Sequence, residues 1–248
     1  MERTYIALQK YFVYLHHSRC TLLIYKIDNI KLFKMNTIKL LFVLIQLSIG
    51  FFLNAQNNEI VPDLSKIKDP NLWTLFNREL ITDNAVHLNG KPGDGILWLK
   101  EPIFTNGKIE LDIKGKDEQG KSFVGLAFHG LNDSTYDVVY FRPFNFMSPE
   151  RNGHSVQYIS HPEYTWFKLR KEHPEKYENP VLPVPDPADW FHATIIVDYP
   201  DVKVFVNNSE KPSLTIKQLS SRKEGWIGFW VGHNSEGYFR NLKISLKE

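Results

Sequence analysis

Short runs of β-branched and aromatic residues, separated by turn-forming residues, follow one another along most of this chain of 248 residues. Clear runs are Lys108–Lys114, Ser122–His129 and Thr135–Arg142, and glycine- or asparagine-rich turns separate them. About ten such runs, with turns roughly every 8–12 residues, are typical of antiparallel sandwiches and barrels. No long amphipathic helical period interrupts the series, so the sequence predicts an all-β, two-sheet antiparallel jelly-roll sandwich.

The first 55 residues differ in composition from the rest of the chain. A charged segment that opens at Met35 precedes an apolar run from Leu40 to Leu53, and Ala55 offers a small residue for cleavage. This is the layout of a secretory signal peptide, and the run is short for a membrane span. We therefore expect residues 1–34 to be an over-extended start and residues 35–55 to be a signal peptide. An uncleaved signal anchor is the alternative.

Removal of this leader changes the charge and the set of reactive side chains. The leader holds seven of the 30 Lys and Arg residues and two of the 28 Asp and Glu residues, so the remaining 193 residues carry 23 basic and 26 acidic side chains, a net charge of −3. A nucleic-acid partner thereby loses its main support.

The single cysteine, Cys20, leaves with the leader, which suits export to a bacterial periplasm or exterior without stable membrane insertion. We expect residues 56–71 to form an N-terminal arm and residues 72–248 to form one jelly-roll domain.

The densest group of polar and aromatic side chains lies between Tyr136 and Trp166, across two predicted strands. In the second of these strands, alternation places Gln157 and His161 on one face and His154 and Tyr158 on the other. A strand that is only scaffold would keep apolar residues inside and charge outside, whereas both faces here mix aromatic with polar residues. This mixture is typical of the wall of a wet, sugar-sized cleft.

Segments on either side of this group resemble the concanavalin A-like lectin/glucanase superfamily in its compact, laminin-G-like form. The resembling segments are 104–112, 123–130, 225–232 and 239–244, which together frame residues 72–247. The resemblance implies two stacked curved sheets with a sugar-sized groove, in a secreted bacterial carbohydrate-active protein. Because the fold hosts lectins, hydrolases, lyases and structural modules, it does not by itself assign an activity.

One departure from this superfamily argues against ordinary glycoside hydrolysis. Laminarinase-type hydrolases of the fold carry Glu-x-Asp-x-(x)-Glu on one strand. Glu110 and Asp112 begin that pattern, but Lys114 and Gly115 stand where the second glutamate belongs. Retaining hydrolysis needs two carboxyl groups about 5–5.5 Å apart, so we interpret Glu110 and Asp112 as a solvated strand face.

The remaining histidine, tyrosine, arginine and glutamine side chains suit β-elimination on a uronic acid. A base removes the proton α to the sugar carboxylate, and an acid protonates the departing oxygen. A cation or amide donors hold the carboxylate as it takes on enolate charge. We expect His154 or His161 to be the base and Tyr140 or Tyr158 to be the acid.

The expected substrate contacts combine one cation with aromatic rings. Arg142 is expected to grip the carboxylate at two points, assisted by Gln157. Trp226 and Trp230 share a strand face with Gly228, and a glycine there would leave room for a sugar ring to stack. The complete expected substrate-binding set is Arg142, Gln157, His129, Trp166, Trp226 and Trp230.

Together these residues predict an exported enzyme that acts on uronate-containing oligo- or polysaccharides as a lyase or a dehydratase, without a cofactor or a metal ion. The insertion 143–153 and the proline-rich segment 174–189 are expected to close the ends of the groove and favour an exo-acting pocket. A glycoside hydrolase of unusual mechanism and a non-catalytic carbohydrate-binding module are the alternatives. The sugar, its linkage and the oligomeric state stay open.

Overall fold

The structure, a computed structural model, describes residues 59–82 and 85–247, which form fifteen strands in two antiparallel sheets. This confirms the predicted all-β, two-sheet jelly-roll architecture. The expectations for residues 1–55 lie outside the described residues. Within the described ranges, no helix has the length and apolar character needed to cross a membrane.

The first sheet has eight strands: β1 (Glu59–Ile60), β3 (Leu80–Thr82), β4 (Val86–Leu88), β6 (Gly107–Lys114), β11 (Phe191–Asp198), β12 (Asp201–Val206), β13 (Leu214–Lys217) and β15 (Gly237–Leu246). Their order is β13-β12-β11-β6-β15-β4-β3, and β1 pairs with β15, so the expected N-terminal arm contributes a strand. In β6, Ile109, Leu111 and Ile113 are buried and alternate with polar residues that face outward. This alternation gives the sheet one apolar and one polar face.

The second sheet has seven strands: β2 (Trp73–Phe76), β5 (Gly95–Phe104), β7 (Val124–Asn132), β8 (Thr135–Phe141), β9 (Val156–His161), β10 (Glu178–Asn179) and β14 (Gly225–Val231). Their order is β10-β9-β8-β7-β14-β5-β2. Strand β8, in the interior of this sheet, is buried along nearly its whole length, on both faces. Connecting segments cover the face that the first sheet leaves open; they include the 3₁₀ turns Pro143–Asn145 and Asn152–His154 and the α-helix Trp166–Glu172.

Aromatic side chains from facing strands hold the two sheets together. The ring of Phe141 on β8 meets that of Phe191 on β11 at 4.9 Å, and Phe229 on β14 stacks on Phe239 on β15 at 4.8 Å. All four are buried. Burial of each such side chain contributes about 1.5–3 kcal/mol relative to exposure. Because Phe141 points between the sheets, its neighbour Tyr140 must point to the opposite face of β8.

Gly228 does not leave room for a ligand, so that expectation is wrong. A Cβ atom at this position would lie 2.6 Å from Cγ2 of Ile96 and 2.8 Å from Cε3 of Trp98. The Trp98 ring is fully buried and fills the space above the glycine. The glycine therefore serves packing within the sheet.

Gly228→Ala is expected to destabilise the fold by about 1–3 kcal/mol, because the added methyl group overpacks a filled space. Urea unfolding monitored by tryptophan fluorescence measures the change. Gly153→Ala is the matched control, since a Cβ atom there meets nothing within 4 Å. If both variants unfold at the wild-type midpoint, the tight packing around Gly228 is refuted.

Candidate functional site

A cavity of about 580 Å³ lies on the face of the seven-stranded sheet that is turned away from the core. That volume is typical of a small-molecule site. Side chains on the strands form its floor, and connecting segments form its walls. The floor includes Tyr140, Ile159, His161 and Trp230; the walls include Asp94, Phe123, Phe144, Arg151, His154, Trp166, Arg170 and His233.

One row of paired residues crosses this floor and brings two aromatic rings together. Tyr140 pairs with Gln157 on one side and with Gly125 on the other, and Gly125 pairs in turn with Trp230. Because Gly125 has no side chain, the rings of Tyr140 and Trp230 approach to 5.2 Å across it. Nε1 of Trp230 is buried and lies close to the hydroxyl of Tyr136, without the geometry of a hydrogen bond. The Trp230 ring therefore offers the cavity an apolar face.

Arg142 is the centre of a buried hydrogen-bond network beside this row. Its Nη2 donates to the hydroxyl of Tyr140 and to Oε1 of Gln157, and its Nη1 donates to the carbonyl of His154 at 2.8 Å. The Tyr140 hydroxyl donates to Oε1 of Gln157 at 2.6 Å. Burial raises the pKa of Tyr140 to about 12, so the phenol stays protonated at neutral pH. Gln157 is buried and does not line the cavity, so its expected role as a substrate contact is corrected: it orients Tyr140 and Arg142.

Glu178 supplies a buried carboxylate behind the cavity, with a side chain only 3% exposed. Its strand β10 pairs with β9, which sets Glu178 opposite Gln157. Nε and Nη2 of Arg170 donate to its Oε2 at 3.0 and 2.8 Å. Nη1 of Arg142 lies 3.6 Å from Oε2, and Nδ1 of His154 lies 2.9 Å from Oε1 without the angle of a hydrogen bond. One carboxylate therefore organises two guanidinium groups and an imidazole.

A second histidine and carboxylate pair lies where the floor, which carries His161, meets the wall, which carries Asp94. Nε2 of His161 is 3.7 Å from Oδ2 of Asp94, and the hydroxyl of Tyr136 donates to the same oxygen at 3.0 Å. Burial lowers the pKa of His161, and the nearby Asp94 carboxylate opposes this shift only in part. The imidazole is therefore neutral at neutral pH and can accept a proton.

The loop that carries Asp94 is tied down by buried Arg78. Nη2 of Arg78 donates to the carbonyl of Gly93 at 2.7 Å and to that of Gly232 at 2.8 Å. The amide of Gly93 also donates to Nδ1 of His233 at 3.0 Å. These bonds join two of the cavity's wall segments, so Asp94 is held in place before any ligand arrives.

Among the predicted site residues outside the cavity, Tyr158 and His129 lie on the side facing the core. Tyr158 lies on the opposite face of β9 from His161, and its hydroxyl donates to the fully buried Asp137 at 2.5 Å. His129 is also fully buried, with Nε2 2.7 Å from the carbonyl of Thr105. Both lie on the side facing the core. Their expected roles as acid and substrate contact are corrected to structural ones.

The tryptophans divide between the cavity and the sheet. Trp230 lines the cavity from the floor, and Trp166 lines it from the α-helix with its side chain well exposed. Trp226 does not line it, because the Trp98 ring fills the space over Gly228, between Trp226 and Trp230 in the sequence of β14. Its ring packs instead at 6.0 Å from Trp98.

Three residues that the sequence analysis did not select, Asp94, Arg170 and Glu178, contribute to this site. Asp94 belongs to a Pro-Gly-Asp-Gly turn, which predicts chain reversal and gives no sign of a buried partner. Arg170 and Glu178 lie in the charged, proline-punctuated segment after Trp166, where no strand pattern indicates the pairing of β10 with β9. The insertion 143–153 lines the cavity as expected, whereas segment 174–189 supplies only Glu178 behind it.

The cavity lining favours proton transfer and anion contacts over paired-carboxylate chemistry. Arg142, Arg151 and Arg170 line it, and Asp94 is the one carboxylate among its described lining residues. A retaining glycosidase needs two carboxyl groups about 5–5.5 Å apart. In the part of the chain that the structure describes, no cluster of three or more His, Cys, Asp or Glu side chains could hold a metal ion.

Solved structures of low sequence identity share the fold. The carbohydrate binding module CBM66 from Bacillus subtilis matches at 16% identity and TM-score 0.52, covering 71% of this chain and 98% of that one. A Bacillus subtilis protein of unknown function with a galectin-like fold matches at 18% identity and TM-score 0.52, covering 74% and 91%. The VIP36 exoplasmic/lumenal domain matches at 13% identity and TM-score 0.54, covering 71% and 85%. These likenesses confirm the concanavalin A-like resemblance as a fold.

The sequence itself matches one family model. No curated protein sequence matches the chain. The model of the 3-keto-alpha-glucoside-1,2-lyase-like domain matches residues 63–245, a range that contains every cavity residue described above. The match confirms the expectation of a carbohydrate-active domain. The chain belongs to the 3-keto-alpha-glucoside-1,2-lyase-like domain family.

Proposed function

We propose that this protein catalyses β-elimination on a sugar ring, with His161 as the base that removes a proton α to a carbonyl group. The main support is the His161–Asp94 pair in the cavity, in which burial lowers the pKa of the imidazole. A neutral imidazole accepts the proton, and the carboxylate of Asp94 then stabilises the imidazolium. Tyr136 holds that carboxylate through its hydroxyl.

A 3-keto-glucoside is the first substrate class, supported by the family description. A ketone at C3 acidifies the hydrogen on C2. His161 takes that proton, the electron pair forms a C1=C2 double bond, and the C1–O1 bond breaks to release the aglycone alcohol. The cationic side chains in the cavity lining are suitable partners for the ketone oxygen as it takes on enolate charge.

The acid that protonates the departing oxygen is Tyr140 in this proposal. Its phenol is protonated at neutral pH because burial raises its pKa to about 12, and it lines the cavity. Arg142 contacts the hydroxyl and would stabilise the phenolate left after transfer. His154, which also lines the cavity beside Glu178, is the alternative acid.

A uronate-capped oligosaccharide is the second substrate class, supported by the three arginines in the lining. There the activating group is the sugar carboxylate. The same base would remove the hydrogen on C5, a C4=C5 double bond would form, and the C4–O bond would break to release an alcohol or water. Arg142 or Arg170 would pair with the carboxylate as it takes on enolate charge.

The experiment offers methyl 3-keto-α-glucoside and saturated uronate-capped oligosaccharides to the purified protein. Growth of ultraviolet absorbance, with a product mass that corresponds to loss of methanol, an alcohol or water, is the expected result.

Arg142→Lys should lower the activity on a uronate more than that on the ketone, because an ammonium group lacks the planar two-point grip. The measurement is the ratio of the activity on the uronate to the activity on the ketone, compared between Arg142→Lys and the wild-type protein.

Running the same reactions in D₂O separates elimination from hydrolysis. An eliminated ketone product that later adds water carries deuterium at C2, whereas direct hydrolysis leaves hydrogen there. Saturated ketone product without deuterium at C2 would refute elimination and favour an unusual glycoside hydrolase. Binding without any product from either substrate class would favour a carbohydrate-binding module.

Export to the periplasm or exterior is part of the proposal. It is supported by the signal-peptide layout of residues 35–55. A saccharide partner follows from the carbohydrate-active family. The domain boundaries 1–34, 35–55, 56–71 and 72–248 are proposed on the same grounds.

A further inference from the structure

A second cavity, of about 380 Å³, opens on the outer face of the eight-stranded sheet. His87 on β4, Lys114 on β6, and Tyr238 and Arg240 on β15 line it together with Trp190, which precedes β11. The alternating residues of these strands face the core. Both sheets and the core therefore lie between this cavity and the candidate catalytic cavity.

Two aromatic rings and two cations alternate along this second cavity. Nζ of Lys114 lies 5.5 Å from the ring centroid of Trp190 and 5.0 Å from that of Tyr238. Cζ of Arg240 lies 4.1 Å from the Trp190 centroid. The imidazole of His87 stacks on Tyr238 at 4.2 Å with an interplanar angle of 9°. All of these side chains are partly exposed, so the rings are oriented by neighbours and still accessible.

Asp112 fixes the cationic end of the cavity. It accepts hydrogen bonds from Arg240 Nε at 3.2 Å and Asn241 Nδ2 at 2.7 Å, and His192 Nδ1 lies 2.9 Å from its other oxygen. Burial raises the pKa of Asp112, but the hydrogen bonds from His192, Asn241 and Arg240 outweigh it and lower the pKa overall. The charged carboxylate thus orients Arg240, and Asp112 is more than a solvated strand residue.

We propose that this cavity is a second, non-catalytic binding site for a saccharide chain that bears carboxylate groups. Trp190 and Tyr238 present apolar ring faces on which sugar rings stack. Lys114 and Arg240 pair with the sugar carboxylates. Charge complementarity selects this ligand, because the described residues that line the cavity include two permanent cations and no carboxylate. The site would hold a polymer on the enzyme without taking part in the chemistry of the candidate catalytic cavity.

Affinity electrophoresis in gels that contain polygalacturonate or the neutral polymer dextran tests this site. Polygalacturonate should retard the wild-type protein, and dextran should not. Trp190→Ala should weaken the apparent affinity about tenfold, the loss of one well-placed stacking ring. Lys114→Gln should also weaken it and reduce its sensitivity to salt. Lys223→Gln is the matched control, since Lys223 also lies over an aromatic ring, that of Tyr199 at 5.0 Å, but lines neither cavity.

Further readouts separate this site from the catalytic cavity and from loss of fold. Thermal unfolding verifies that each variant is folded, and turnover of a monosaccharide glycoside should be unchanged in Trp190→Ala. Trp166→Ala, in the other cavity, should leave the retardation intact. The proposal is overturned if polygalacturonate does not retard the wild-type protein, if dextran retards it equally, or if folded Trp190→Ala and Lys114→Gln migrate like wild type. Retardation that only Trp166→Ala abolishes also overturns it, by assigning the polymer to the catalytic cavity.

Discussion

Replacement of His161 by glutamine is expected to lower kcat for elimination by about 10²–10⁴-fold, the usual contribution of a positioned base. Glutamine keeps the size and polarity of the side chain but cannot accept the proton. KM should change little, because the walls of the cavity remain. Steady-state kinetics on the substrate that the wild-type enzyme converts give both constants, and circular dichroism checks the fold.

His173→Gln is the matched control for this loss. His173 ends the α-helix Trp166–Glu172 and does not line the cavity, so wild-type kinetics are expected. If His161→Gln retains its activity and His154→Gln loses it, the base is His154 and the assignment made here is wrong.

The pH profile of the wild-type enzyme provides a second test of His161. A base acts in its deprotonated form, so kcat/KM falls as the pH drops through the pKa of the free enzyme's base. Because burial lowers the pKa of His161, this acid limb should lie below the ordinary histidine value of about 6.5. A limb at or above the ordinary value would argue against buried His161 as the base.

Glu178→Gln is expected to destabilise the fold by about 3–5 kcal/mol, because it removes the counter-charge of buried Arg142 and partly exposed Arg170. Arg142 is almost fully buried and would be left with neutral partners in a low-dielectric site. Arg170 would lose a two-point contact at 3.0 and 2.8 Å. The free energy of unfolding from urea titration measures the effect.

Glu163→Gln controls for the loss of one negative charge. Its carboxylate is mostly exposed and lies 3.9 Å from Nζ of Lys168. Exposed pairs of this kind contribute about 0–1 kcal/mol. Equal stability of the two variants would mean that Glu178 is not needed to neutralise Arg142 and Arg170, and would contradict its role as their stabilising counter-charge.

The fold could be predicted because two-residue alternation and turn chemistry are local properties. The run from Lys108 to Lys114, for example, alternates polar and apolar residues as a strand with one buried face must. The same alternation cannot say which face of a strand turns toward the second sheet. That is why Tyr158, which shares β9 with His161, was grouped with the cavity although it points into the core.

The site was predictable mainly where its residues are neighbours in sequence; Trp230 on β14 is the exception. Tyr140, Arg142, His154 and His161 were selected from one stretch, and all four line the cavity; their catalytic roles remain predictions. Trp226 shares a strand face with Trp230 but lies outside the cavity, because alternation does not show that Trp98 packs over Gly228 beside it. Asp94 and Glu178 reach the site through a distant loop and a two-residue strand, and neither has a local pattern that predicts a buried partner.

The division of the cavity into a strand-borne floor and a loop-borne wall has an evolutionary consequence. His161, Tyr140 and Trp230 lie on paired strands whose register cannot slip without disturbing the core. Arg151 and Trp166 lie on connecting segments, which tolerate insertion and exchange. Remodelling of these segments could therefore change which glycosides fit the cavity, without shifting the groups proposed to move protons, because the register of the sheet holds them in place.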